Sequence, residues 1–202
     1  MVQNNLIETA KKFWEFFSDI AKQIQKSPED SNLINNLDSA VDRLGVYGWE
    51  YGPYELNNED WYFCLSPNLR DDLLEELQFV ISLAPKLRGW HFFVGKPKKM
   101  EEINCIDVVV DEYDIQEVCA DNWRCVLYKM KNGKYDIDIC LDKELNNFTE
   151  DDKYNIVETF LIHMLGEVGY MSLIDKVFIV ETLEKEGIRF LDLRYFFGSV
   201  PG

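Results

Sequence analysis

Asn132-Gly133 lies between two runs of alternating character, WRCVLYKM and YDIDICLD. The dipeptide is a strong short-range hairpin signal, because Asn and Gly accept the positive φ angles of a tight turn whose twist matches the flanking strands. Once the chain doubles back here, the apolar residues of both arms must share a face, and a sheet has to form around the pair. A two-residue turn predicts that Tyr128 faces Ile137, Val126 faces Ile139 and Lys129 faces Asp136. On that register Cys125 and Cys140 also lie opposite each other.

The hairpin opens an order of elements that occurs twice. After it, Thr149 is placed to cap EDDKYNIVETFLIHMLGE, whose acidic first turn suits the positive end of a helix dipole. KVFIVETL reads as the next strand and IRFLDLRYFF as a last one. Upstream, the aromatic runs VYGWEYGPYEL and DWYFCLS read as a hairpin. A helix follows in LRDDLLEELQFVISLAP, with Leu73, Leu77, Val80 and Ala84 on its buried face. Pro85 and Gly89 close it, and WHFFVGKP is a strand ending at Pro97. The chain thus carries two strand-strand-helix-strand units, about 46–96 and 123–183, with negligible identity between them. INCIDVVVDEYDI, between them, reads as a single strand with an acidic end.

Ahead of both units, Leu6, Ala10, Phe13, Phe17, Ile20 and Ile24 follow the three-and-four spacing of an amphipathic helix. Ser27 then serves as a cap and Pro28 as a first helical residue. Leu33, Leu37, Val41 and Leu44 line a second helix that Gly45 stops. The expectation is an α+β fold: an N-terminal helical hairpin (1–45), a first ββαβ unit (46–100) and an acidic second unit with a C-terminal strand (101–202). The sheet is mainly antiparallel and the whole forms one compact domain.

Charge narrows the partners. The 202 residues carry a net −16, with 15 acids against 11 bases up to residue 100 and 22 against 10 after it. From Glu101 through Asp121 there are eight acids and no Lys or Arg, directly after the basic Lys86, Arg88, Lys96, Lys98 and Lys99. Such a chain repels phosphate, which argues against nucleic acid and anionic membranes and in favour of a basic protein partner. No stretch approaches the ~20 apolar residues of a membrane span. MVQNNLIETAKKFWEFF lacks the charged start and unbroken apolar run of a signal peptide. Five cysteines without a CxxC pair or zinc spacing complete the expectation of a cytoplasmic protein with free thiols.

FWEFF, LAPKLRGWHFFVGKP and GKYDIDICL resemble a group of uncharacterised bacterial cytosolic proteins. In that group a Phe-Trp-rich N-terminal helix precedes an APxLxxWxFxxxKP segment. The resemblance implies a bacterial α+β protein, and because its motifs are aromatic packing positions it assigns no functional residue.

Motifs that carry chemistry are few. There is no GxGxxG, Walker lysine, GxSxG or HExxH, and neither a cofactor nor a metal is expected. His91 falls on the strand face opposite Trp90, Phe92 and Val94, where strand pairing could bring it near Cys64. His163 falls at the border of its helix's apolar face, on the side of Ile156. Asp136 and Asp138 share one strand face, and Asp111 ends the run VVV. Carboxylates at strand ends can hold a hard cation, but a solvated face needs no further explanation. Two readings remain. The first is a non-enzymatic interaction module that meets a basic protein through Asp111, Glu112, Asp114 and Glu117. An immunity-type inhibitor covering a basic toxin is its concrete form. The second is an enzyme with an unfamiliar site, with or without a metal, built from His91, Asp111, Asp136 and Asp138.

Overall fold

The computed structural model describes residues 2–45, 47–54, 60–99, 103–111 and 114–198, without the side chains of 2–4, 111, 114 and 144. The chain divides into two units, Met1–Lys96 and Pro97–Gly202.

In the first unit, helix α1 (Val2–Lys26) buries Ala10, Phe13, Trp14, Phe17, Ile20, Ala21 and Ile24. Five of the six residues that set its helical period thus leave water, and Leu6 is partly buried. Helix α2 (Ser31–Leu44) contributes Leu37, Val41 and Leu44 to the same core. Its cap is Asp30 rather than Ser27: the Asp30 carboxylate accepts the N–H groups of Asn32 and Leu33 at 2.9 and 3.2 Å. Ser27 and Pro28 instead form the turn between the helices, closed by the Asp30 N–H on the Ser27 carbonyl at 3.1 Å. An Asp directly before the first helical residue, three before the apolar Leu33, competes well with a Ser before Pro, since both cap and only one can be next to the helix.

Strands β1 (Gly48–Pro53) and β2 (Trp61–Ser66) pair antiparallel. Helix α3 (Leu74–Ser82) then carries the chain over to β3 (Trp90–Val94), which lies parallel to β2. Phe63, Leu65 and Trp90 point from the sheet into the core made by the three helices. The Trp14 indole donates to the Val80 carbonyl at 2.9 Å, so α1 and α3 are joined by a satisfied buried polar group.

The second unit repeats this plan. Strands β4 (Cys105–Asp111) and β5 (Asp114–Cys119) form a separate two-stranded ribbon. They are followed by β6 (Arg124–Lys129) and β7 (Tyr135–Cys140), which form an antiparallel hairpin. Helices α4 (Glu150–Leu165) and α5 (Glu167–Leu173) lead to β8 (Ile174–Ile179), parallel to β7. The duplicated ββαβ order is therefore real, with β6-β7-β8 matching β1-β2-β3. Thr149 caps α4 in a reciprocal capping box with Asp152. The core gathers Trp123, Ile137, Ile139, Phe160, Leu161 and Phe190, all fully buried.

Four further expectations are corrected. The β6–β7 register is shifted by one: Cys125 faces Ile139, Tyr128 faces Asp136, and Lys129 faces Tyr135. Met130 and Lys134 still pair, through the Met130 N–H on the Lys134 carbonyl at 2.8 Å. The loop is therefore three residues, with only Gly133 at positive φ, 89°. Asn-Gly fits this loop as well as a two-residue one, since a type I turn followed by a left-handed glycine also reverses the chain. A Cβ on Gly133 would meet nothing within 4 Å, so its constraint is backbone conformation alone. Gly133→Val is expected to cost more than about 1 kcal/mol, and an unchanged denaturation midpoint would contradict this loop.

INCIDVVVDEYDI is two strands rather than one, folding back between Asp111 and Asp114, which face each other. The thiols are not all free: Cys105 and Cys119 are bridged across that ribbon. Cys64, Cys125 and Cys140 form no disulfide. The expected last strand shrinks to β9 (Ile188–Arg189), followed by helix α6 (Leu193–Gly198). Phe190, Leu193 and Phe197 fall three and four apart and are all buried, which is a helical period.

Among the described residues no single helix is long and apolar enough to cross a membrane.

Candidate functional site

The β4–β5 ribbon is the most distinctive surface of the second unit. Its alternation sends Ile106, Val108 and Val118 toward the core. The opposite face presents Asp107, Val109, Ile115 and Glu117 around the Cys105–Cys119 bridge, because the pairs 105/119, 107/117 and 109/115 share a side of the pleat. Val109 and Ile115 are 70% and 65% exposed, and neighbouring Val110 is 49% exposed. Apolar side chains on a strand ordinarily turn inward, so exposed valines and an isoleucine flanked by exposed Asp107 and Glu117 are unusual.

Of the acids expected to meet a partner, Glu117 stands exposed on β5. Asp111 and Asp114 are placed by their backbones at the facing ends of β4 and β5. Their side chains, and Glu112 altogether, lie outside the described residues. Asp107 is a further acid of this face that the sequence reading did not single out. The strict alternation of CIDVVVD would have found it, because Asp107 shares the face of Cys105 and Val109.

Beside the ribbon runs a groove of about 580 Å³, bounded by β4 on one side and by Asp152, Asn155, Thr159 and His163 of α4 on the other. These α4 residues, with Ile156 among them, recur at helical spacing and form one stripe. His163, placed by its spacing on the side of Ile156, lines this groove with it.

The residues of the enzyme reading come from different elements of the fold. Asp136 and Asp138 share a face of β7, opposite Tyr128 and Val126. There the Tyr128 phenol is held above its ordinary value by desolvation, by the charge of Asp138 and by a hydrogen bond to it. The Lys185 ammonium stands 5.2 Å from the Tyr128 ring centroid. Asp111 belongs to the separate β4–β5 sheet, and His91 belongs to the first unit.

In its own unit His91 has a well-defined setting. Its Nε2 is 3.1 Å from an Asp60 carboxylate oxygen, and Tyr54 stacks on its ring at 4.3 Å between centroids. Sequence reasoning missed both partners because they lie across the sheet from His91. Cys64 does share its face, but pairs with Phe93 in register and is fully buried. An imidazole held by a carboxylate can move a proton, yet a thiol without solvent access cannot meet a substrate in this conformation. Cys125 is no better placed: burial, with help from Asp192, pushes its thiol up to about 12.

No family model matches the chain, and no curated protein does either.

Proposed function

We propose that this chain is a non-enzymatic binding module, and that the acidic β4–β5 ribbon of its second unit meets a basic protein partner. The observation that carries this is the exposed apolar patch of Val109, Val110 and Ile115 set beside Asp107 and Glu117. Exposed apolar area supplies contact energy once covered, and the acids steer a basic partner toward it. An immunity-type inhibitor is one form of this module, with the acidic ribbon covering a basic toxin. Bacterial origin and kinship with the group that shares the APxLxxWxFxxxKP segment belong to the same proposal. A cytoplasmic location rests on the sequence alone. The Cys105–Cys119 bridge argues the other way, because such bonds persist chiefly in oxidising compartments.

A second reading, enzymatic, is favoured by one observation only, the Asp60–His91 pair stacked on Tyr54. The ribbon is preferred because the thiol sharing the His91 face is sealed from solvent.

The test is a kinetic binding assay against a partner isolated by pull-down. Wild type is compared with a variant carrying Asp111→Asn, Glu112→Gln, Asp114→Asn and Glu117→Gln. Association of the variant is expected to be about tenfold slower at low salt, with dissociation nearly unchanged, because exposed charges chiefly steer encounter. Raising salt should erase the difference, since screening acts over ~8 Å at physiological strength. Association at the wild-type rate, without salt dependence, would sink the reading.

A further inference from the structure

We propose that the outer edge of β4 takes up an extended basic segment of a partner protein as an added strand, with α4 as the opposite wall. This rests on the reading of the second unit as a binding module and names what the groove beside β4 would hold.

The backbone geometry points to it. The Ala120 N–H donates to the Asn104 carbonyl at 2.9 Å, which makes 104/120 a hydrogen-bonded pair of the ribbon. Antiparallel ladders alternate bonded and non-bonded pairs, so Ile106/Val118 and Val108/Gln116 are bonded, and Cys105, Asp107 and Val109 belong to non-bonded pairs. The 4.0 Å Cα–Cα separation of Cys105 and Cys119 agrees, because non-bonded pairs are the close ones. The N–H and C=O of Cys105, Asp107 and Val109 therefore point away from β5. All three residues line the groove. Among the described residues β4 pairs with β5 alone, and no backbone hydrogen bond takes up this second edge.

Proteins usually blunt such an edge with lysine, proline or a covering element. Residues 105–109 contain neither lysine nor proline, and what stands beside them is a groove. Its length suits a strand, since five residues at ~3.3 Å each span roughly 16 Å. Its chemistry selects the occupant. Asp107 and Asp152 line it without any Lys or Arg, and Ile106, Val108 and Ile156 offer an apolar floor. An incoming strand with apolar residues on one face and lysine or arginine on the other matches both. Backbone hydrogen bonds then provide affinity and alternate side chains provide specificity.

The probe is a capped peptide of about seven residues alternating valine and lysine, titrated into the whole protein and followed by amide NMR shifts and fluorescence anisotropy. Binding should move the amides of Cys105, Asp107, Val109, Asn155 and Thr159. N-methylation of the peptide at alternate residues, in the register that faces β4, should weaken binding about tenfold, while the other register has little effect. Val109→Pro should weaken it to the same degree, because it removes an outward N–H without touching a β4–β5 bond. The methylated peptides use the wild-type protein and decide the matter even if that variant misfolds. Equal affinity in both registers would overturn strand addition while leaving an acidic binding surface in place. Unmoved groove amides would overturn it too. A dimer in sedimentation that Val109→Pro abolishes would overturn it in favour of a second copy at this edge. Failure of the broader reading shows separately, as salt-independent association in the pull-down assay.

Discussion

Trp123→Ala is expected to lower the free energy of unfolding by about 3–5 kcal/mol, the usual range for emptying an aromatic site in a packed core. Trp123 is fully buried, with its ring 5.2 Å from that of Phe160 on α4 and 5.2 Å from that of Phe190 beyond β9. Its carbonyl also accepts the Phe190 N–H at 2.9 Å. The side chain therefore joins the sheet, the crossover helix and the C-terminal segment of the second unit. The indole N–H finds no hydrogen-bond partner among the described residues. Trp123→Phe loses volume but also removes that buried unsatisfied donor, so its cost should be much smaller, under about 2 kcal/mol. Urea denaturation of the two variants measures the difference. A loss well above about 2 kcal/mol for the phenylalanine variant would mean that the indole nitrogen is satisfied. A loss under about 1 kcal/mol for the alanine variant would mean that the site collapses onto itself.

Phe63→Ala should have an effect of the same size in the first unit, about 3–5 kcal/mol. Phe63 is fully buried on β2, with ring centroids 4.8, 5.8 and 6.1 Å from Phe17, Phe13 and Trp14 of α1. Each such aromatic pair contributes beyond the area it covers, and a chain of them makes the contact between helix and sheet cooperative. Phe63→Leu keeps most of the volume and loses only the ring contacts, so it should cost about 1–2 kcal/mol. Thermal unfolding followed by far-ultraviolet circular dichroism checks both. Similar midpoints for the alanine and leucine variants would show that ring stacking, rather than filled volume, dominates here.

Much of this was legible because it is local. The α1 period, the Thr149 cap and the order strand-strand-helix-strand each need only a window of ten to twenty residues, about the length of one element. The misreadings have local causes as well. Asn132-Gly133 serves two loop lengths, and a single residue of difference moved every cross-strand neighbour of β6, separating Cys125 from Cys140. Between β4 and β5 the sequence DEYD offers Asp alone among the turn-favouring residue types, with no Gly, Pro or Asn, so the turn signal was weak. In FLDLRYFF aromatic content spoke for a strand while the spacing of Phe190, Leu193 and Phe197 spoke for a helix, and spacing prevailed because it decides what can be buried.

The candidate site was legible only in its charge. That the stretch after Glu101 is acidic and alternating could be read directly, and it pointed to the segment that folds into the β4–β5 ribbon. Which cysteines meet could not be read, because bridging depends on the distance between Cα atoms and not on spacing along the chain. The edge of β4 was equally hidden, since a strand's open side exists only relative to the strand that pairs with it. His91 illustrates the same division: alternation placed it on the face opposite Trp90, Phe92 and Val94, but its neighbours Tyr54 and Asp60 come from just after β1 and just before β2, more than thirty residues earlier in the chain. The sequence by itself determined the elements, their order and the faces they bury, because these follow from backbone preference and hydrophobic period within short windows. Tertiary structure alone decided partners, the disulfide, the register and the groove, because each depends on residues distant in the chain being brought to within a few ångströms.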